Sequence, residues 1–432
     1  MNRKMIALML ALAMLFALGA NAADGGGSAA QSAAAAENAA AQAETEVRED
    51  AAADAEAPAA PEPDAEGTLS FANLRGRMLE NYYPLLALEE NIQTLESWDY
   101  QRTEDELRDK LNETANQQWA YLSVPGMGSM LSASLQPQYD AYREAFDQVR
   151  DGKLQEDNDG VKHQLRNLQD QTVIVAESLY ITYKGLEAQN SALTRTVASL
   201  KRAEKEMTLR QELGQVSELT LQQVRSGAVQ AESGQKTLRM NMENILLQLK
   251  AMTGVELDAA FTLGALPQVT AEQLASMDPE KDLASAQETS YELYDAKKTL
   301  DNAKDAYNDA RKEYGEYSKK NEWMQAKHTW QAAQYTYENA ALSFELKFRT
   351  LFAQVKDAAQ VLDAKRAALT LEEKNYAASA LKYEQGSISA NALADAKDAL
   401  ADAKDAVAGA ERELFTQYRS YDWAVTYGIL NG

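Results

Sequence analysis

The stretch that decides the fold is YEQGSISANALADAKDALADAKDAVAGAERELFTQYRSYDWAVTYG, residues 383–428, read beside RQELGQVSELTLQQV, residues 210–224. The two align with a shift of 172: Gly214 on Gly386, Val216 on Ile388, Ser217 on Ser389 and Leu221 on Leu393. Glycine enters the left-handed conformation at little cost, and a serine placed just after it caps the returning helix. Each G-x-[VI]-S therefore reads as a tight reversal between helices. A glycine ends each returning arm, at Gly254 and, two residues out of register, at Gly428. One such turn is weak evidence; two with matched long arms read as an internal repeat.

The arms carry helical periodicity. Leu293, Leu300, Tyr307 and Tyr314 stand seven apart with Ala296, Ala303 and Ala310 three residues on. Leu393, Leu400, Val407 and Leu414 repeat this ladder with Ala396, Ala403 and Ala410. Alanine at one core position of a heptad lets helices approach closely. In the first half, LSFANLRGRMLE is a short helix and Pro84 opens the next, which runs to about Tyr121. Val124–Gly128 breaks it, a short helix carries Tyr139, Tyr142, Phe146 and Val149, and Asp157–Gly160 is read as a second break. Helix then runs from about Val161 to Glu212 and from 218 to 252. A loop with Gly264, Pro267 and Pro279 joins the halves. The expected fold is all-α: two repeated long antiparallel coiled-coil hairpins, repeat 1 about 67–260 and repeat 2 about 280–432.

Residues 1–22 read as a secretory signal: Arg3 and Lys4, an apolar run from Met5 to Leu18, then Ala20-Asn21-Ala22 at a small-x-small cleavage site. Residues 23–66 are an alanine-rich, acidic stretch with almost no large side chains, expected to be a disordered linker. With no cysteine and a formal charge of −23, the chain has no thiol chemistry and repels phosphate backbones, so nucleic acid is not an expected partner.

Nothing in the chain reads as an enzyme. His163 and His328 are isolated on helical segments, and no metal-binding, nucleotide-binding or nucleophile motif is present; no cofactor is expected. Asp395, Asp398 and Asp402 alternate with Lys397 and Lys404 and read as a solvated, internally paired face. The tyrosines of 291–337 read as packing residues.

Residues 383–428 resemble the C-terminal repeat of TolC-like outer-membrane efflux proteins, 210–224 the N-terminal repeat, and LSFANLRGRMLENYYPLLALEEN (69–91) the opening helix, with the usual Asn-Pro pair stretched to Asn81–Pro84. The resemblance implies a homo-oligomer, a trimer, whose helices form an exit duct for an ABC or RND-type pump in the cell envelope. It implies that the turns with Gly214, Val216, Ser217, Gly386, Ile388 and Ser389 face a membrane-fusion adaptor. It also makes Asp395 a pore-constriction acid, although Ala392 and Gln223 stand where companion acids would be. The family inserts two β-strands in each half. Here the second slot, 315–323, is too short and charged for a strand pair, and the first, 124–160, has helical spacing, so no transmembrane barrel is expected. The alternative to a duct is a coiled-coil spacer or scaffold of the envelope.

Overall fold

The structure, a computed structural model, describes residues 64–65, 67–315 and 321–430. The expected signal peptide, most of the linker, and residues 316–320 of the second strand slot lie outside the described residues. Those described are helical almost throughout. Twelve helices stand among them: α1 Phe71–Asn81, α2 Tyr83–Glu96, α3 Tyr100–Leu122, α4 Gly128–Ser134, α5 Gln136–Arg150, α6 Lys153–Glu212, α7 Glu218–Thr253, α8 Ala271–Ser276, α9 Pro279–Thr289, α10 Tyr291–Tyr314, α11 Asn321–Glu384 and α12 Ala390–Tyr427. The strands among them are β1 (Thr68–Leu69) and β2 (Thr262–Leu263), two residues each and paired in parallel. They lie outside both slots considered above, and neither approaches the length that crosses a bilayer.

Four helices form the shaft. The 60 residues of α6 and the 64 of α11 span about 90 Å or more each at about 1.5 Å per residue. They pack side by side in the order α7, α6, α12, α11. The heptad ladder explains the α11–α12 contact, with Leu414 and Ala410 buried and Leu393, Leu400 and Val407 half-buried. Cross-helix pairs set the register: Arg225 with Glu204 and Lys201 with Glu232 join α6 to α7, and Arg366 with Glu411 joins α11 to α12.

The core is a belt at mid-height, where the linking segments wrap the shaft. One cluster gathers Phe344, Phe348, Val355, Leu414 and Tyr421; the other gathers Leu69, Leu74, Met78, Leu85, Val173, Tyr180 and Leu249. Phe71 touches both Tyr180 and Phe415 edge to face, with centroids 5.4 and 5.0 Å apart, a favoured geometry for aromatic pairs. The Tyr180 hydroxyl sits between the carbonyl oxygens of Leu69 and Gly264, at 3.0 and 2.9 Å, tying both strands to α6. Burial, the largest influence on it, pushes its pKa up. Lys250, buried on α7, donates to the carbonyls of Leu257 and Ala259 at 2.7 Å each. These contacts satisfy buried backbone carbonyls of the connecting segments, which lie outside any helix.

The chain is anchored from Asp64, inside the stretch expected as linker. Its carboxylate accepts from the Ser70 amide and the Asn73 side chain and lies 3.3 Å from Arg77. Burial opposes its ionisation, but these groups outweigh burial and hold the carboxyl below its usual range.

Two readings of the first half are corrected. Residues 157–160 do not break the helix but lie inside α6. A Cβ on Gly160 would meet the Lys298 ammonium at 2.7 Å, while Asp157 pairs with Lys298 and Asn158 donates to Tyr100. The polar run is therefore where α3 and α10 approach α6. The helix from Pro84 toward Tyr121 is interrupted at residues 97–99, where Asp99 caps α3 by accepting from the Arg102 amide at 2.9 Å. Beyond it, α3 and α5 pair as an antiparallel hairpin closed by α4. Arg108 lies over Phe146, Lys110 over Tyr142, and Gln118 donates to Gln136.

Candidate functional site

The two reversals are built alike. Gly214 and Gly386 both have φ of +70°. The Gly214 amide donates to the Gln211 carbonyl (2.9 Å) and the Gln215 amide to that of Arg210 (2.8 Å). At the other turn, Gly386 donates to Tyr383 and Ser387 to Lys382, both at 2.8 Å. This crossed pair is the Schellman arrangement, which pairs the last carbonyls of a helix. Ser217 and Ser389 then cap the returning helices, their hydroxyls accepting from the Thr220 and Ala392 amides at 3.2 and 3.1 Å. Val216 and Ile388 are half-buried while the other residues of 212–219 and 384–391 are exposed. Nothing lies within 4 Å of a Cβ at either glycine, so both turns project into open space.

A polar seam between α6 and α12 holds the two ends at the same level. Asn391 donates to Glu206 at 2.9 Å, just above the turns. Further along, Arg202 pairs with Asp398 and lies 4.0 Å from Asp395; Arg195 pairs with Asp405 and, at 3.2 Å, with Asp402. Residue numbers on the two helices add to about 600 at every rung, the mark of one antiparallel register. Its hydrogen bond to the Asp405 carboxylate raises the Arg195 pKa. Asp395, Asp398 and Asp402 were expected to pair within α12; they instead face arginines of the other hairpin. The signal was legible, since Arg195 and Arg202 are seven apart, as are Asp398 and Asp405. Of the residues singled out from sequence, the turns come together at one end. Asp395 stands near them, its side chain 74% exposed.

The seam ends in a buried cluster at mid-height that sequence reading missed. Glu177, 3% exposed, receives two parallel hydrogen bonds from Arg419, at 2.7 and 2.8 Å, and one from the Trp423 indole at 2.8 Å. Asp422 also contacts Arg419. Burial, the largest influence, works against the Arg419 charge, yet the Glu177 hydrogen bonds and the nearby charges of Glu177 and Asp422 together outweigh it and raise its pKa; for Asp422, burial is the largest influence and raises the pKa. His163, by contrast, packs on the Tyr294 ring with centroids 4.8 Å apart. Among the described residues no group of three or more His, Asp and Glu is placed to hold a metal ion.

No protein-family model matches the sequence, and no curated protein does. Solved structures do. The outer-membrane channel OprN superposes with a TM-score of 0.53 at 13% identity, over 83% of this chain and 90% of that one. The Campylobacter jejuni CmeC outer membrane channel gives 0.45 at 14% identity, over 66% and 68% of the two chains. The outer membrane protein VceC from Vibrio cholerae gives 0.45 at 11% identity, over 84% and 96%. The superposition on OprN is the one that carries weight, and at such identity it speaks for fold alone. At the level of fold, then, the chain is similar to the outer-membrane channel OprN, while its own described residues include no strand pair of membrane length.

Proposed function

We propose that this chain is a non-enzymatic, exported duct component of an efflux or secretion system. Copies of it close edge to edge into a helical ring, a trimer by resemblance, in the cell envelope. The Gly214 and Gly386 turns meet a membrane-fusion adaptor of an ABC or RND-type pump. One observation carries the reading. The flanking helices of the shaft, α7 and α11, bear exposed apolar side chains at matching heights above the turns. On α7 these are Leu219, Val229 and Met240; on α11 they are Leu381, Leu371 and Val361. Each pair of numbers adds to 600 or 601, the value at which an α7 and an α11 residue are equally far from their turns. Three rungs at one register fit the α7 of one copy against the α11 of the next. Such head-to-tail contacts generate rings when the rotation closes. The small polar turn residues leave room for an adaptor hairpin, and Asp395, near the turns and exposed, would narrow the mouth, as the resemblance implies.

The chain lacks cysteine, so a single one reports cleanly. In cells, Ser387→Cys with a short bifunctional cross-linker should capture a helical-hairpin adaptor identified by mass spectrometry. Ser233→Cys, exposed at mid-shaft on α7, should not. Capture of nothing but copies of the same chain at Ser387 would transfer support to the envelope scaffold. The shortness of the strands among the described residues already favours that second reading.

A further inference from the structure

The end of the α3–α5 hairpin has an unusual surface. From Thr114 to Tyr139 there is no charged residue, in a chain where a quarter of all residues are charged. It is the longest such run in residues 67–432. Within it Trp119 is 75% exposed and Met130 73%, and Tyr121, Leu122, Val124 and Met127 are exposed too. The end is well built. The Gly128 amide donates to the Val124 carbonyl at 3.0 Å, and a Cβ on Gly128 would lie 2.7 Å from the Leu122 carbonyl oxygen. The close approach of α4 to α3 thus presents these side chains on a compact, convex tip. Charges return below it, with Arg108 and Lys110 against Phe146 and Tyr142. The tip also lies at the other end of the molecule from the two turns, because α5 leads into the start of α6 and Gly214 follows its finish.

We propose that this tip seats in the interfacial layer of a lipid bilayer. Charge is missing from every side of the hairpin end, including positions filled by Ser, Gln, Asn and Thr. A protein partner meets one face and leaves a polar, charge-tolerant rim. Lipid surrounds the tip and penalises a charge on any side. Trp and Tyr beside Leu and Met are the side chains favoured at the boundary between headgroup and acyl chain. Depth agrees: Thr114 to Leu122 on α3 spans about 13 Å, enough to enter one leaflet and far short of the roughly 30 Å needed to cross. No helix among the described residues is long and apolar enough to cross a membrane.

The test uses the full chain and phosphatidylcholine vesicles carrying brominated acyl chains, which quench nearby indoles. Of the five tryptophans, the share of emission lost in Trp119→Phe should be the quenched share. Quenching should persist from about 0.1 M to about 1 M salt, since no charge holds the tip. Leu122→Glu with Met130→Glu, both at exposed sites, should abolish it while leaving the circular dichroism melt unchanged. Any of three results would overturn the proposal. The first is an unquenched Trp119 share, and the second is quenching that survives the double substitution. The third is a Trp119 emission that shifts to the blue with protein concentration in the absence of lipid, which would assign the tip to a second copy.

Discussion

Arg419 and Glu177 show how a single buried pair joins the two hairpins. Taking either charge out of water costs several kcal/mol, which only close pairing offsets. The geometry supplies it: two parallel hydrogen bonds from the guanidinium and a third from Trp423. Arg419→Met should therefore destabilise by about 3–5 kcal/mol, because Glu177 is left buried and uncompensated. Glu177→Leu added to it should recover much of that loss, and denaturant titration of both variants checks the order. If the single and double variants were equally unstable, packing of the Arg419 stem rather than charge would be at work. Nothing in the sequence marked this pair. Glu177 and Arg419 are 242 residues apart, and each alone reads as an ordinary polar position on an amphipathic helix. Gly214, Gly386, Ser217 and Ser389 were legible because their chemistry is local: a left-handed φ and a cap depend on a few neighbouring residues.

Among the elements, the helix ends differ in what lies around them. Gly386 and Gly428 both end long helices with positive φ. A Cβ at Gly386 meets nothing within 4 Å, whereas one at Gly428 would lie 2.3 Å from the Ser290 backbone. Gly386→Ala should cost only the conformational strain, about 1 kcal/mol. Gly428→Ala must also push α12 away from the start of α10 and should lower the melting temperature several times further. Equal shifts would contradict a free turn at one end and a packed belt at the other. The same distinction explains where element boundaries were misread. Asp157–Gly160 has turn-forming composition, but tertiary contacts with Lys298 and Tyr100 override it. The break at residues 97–99 carries no glycine or proline, and only the Asp99 cap marks it.

Taken as a whole molecule, the protein is a repeat whose halves differ at one end. Both halves supply a hairpin with the same turn, and both turns come to one level through the α6–α12 seam. At the opposite end the first half adds the α3–α5 hairpin with its uncharged tip. The repeat and the helical class were readable because a shift of 172 and a heptad ladder survive in the primary structure. The order of the four shaft helices was not, since it depends on which surfaces of each helix are left over after pairing. On that leftover surface, as proposed above, α7 of one copy meets α11 of the next. The direct measurement is oxidation of a chain carrying Val229→Cys and Leu371→Cys. Disulfide-linked species should stop at one discrete closed oligomer, with neither single cysteine giving more than a trace. A chain that stays monomeric on oxidation, or an equal yield from either single cysteine, would contradict it.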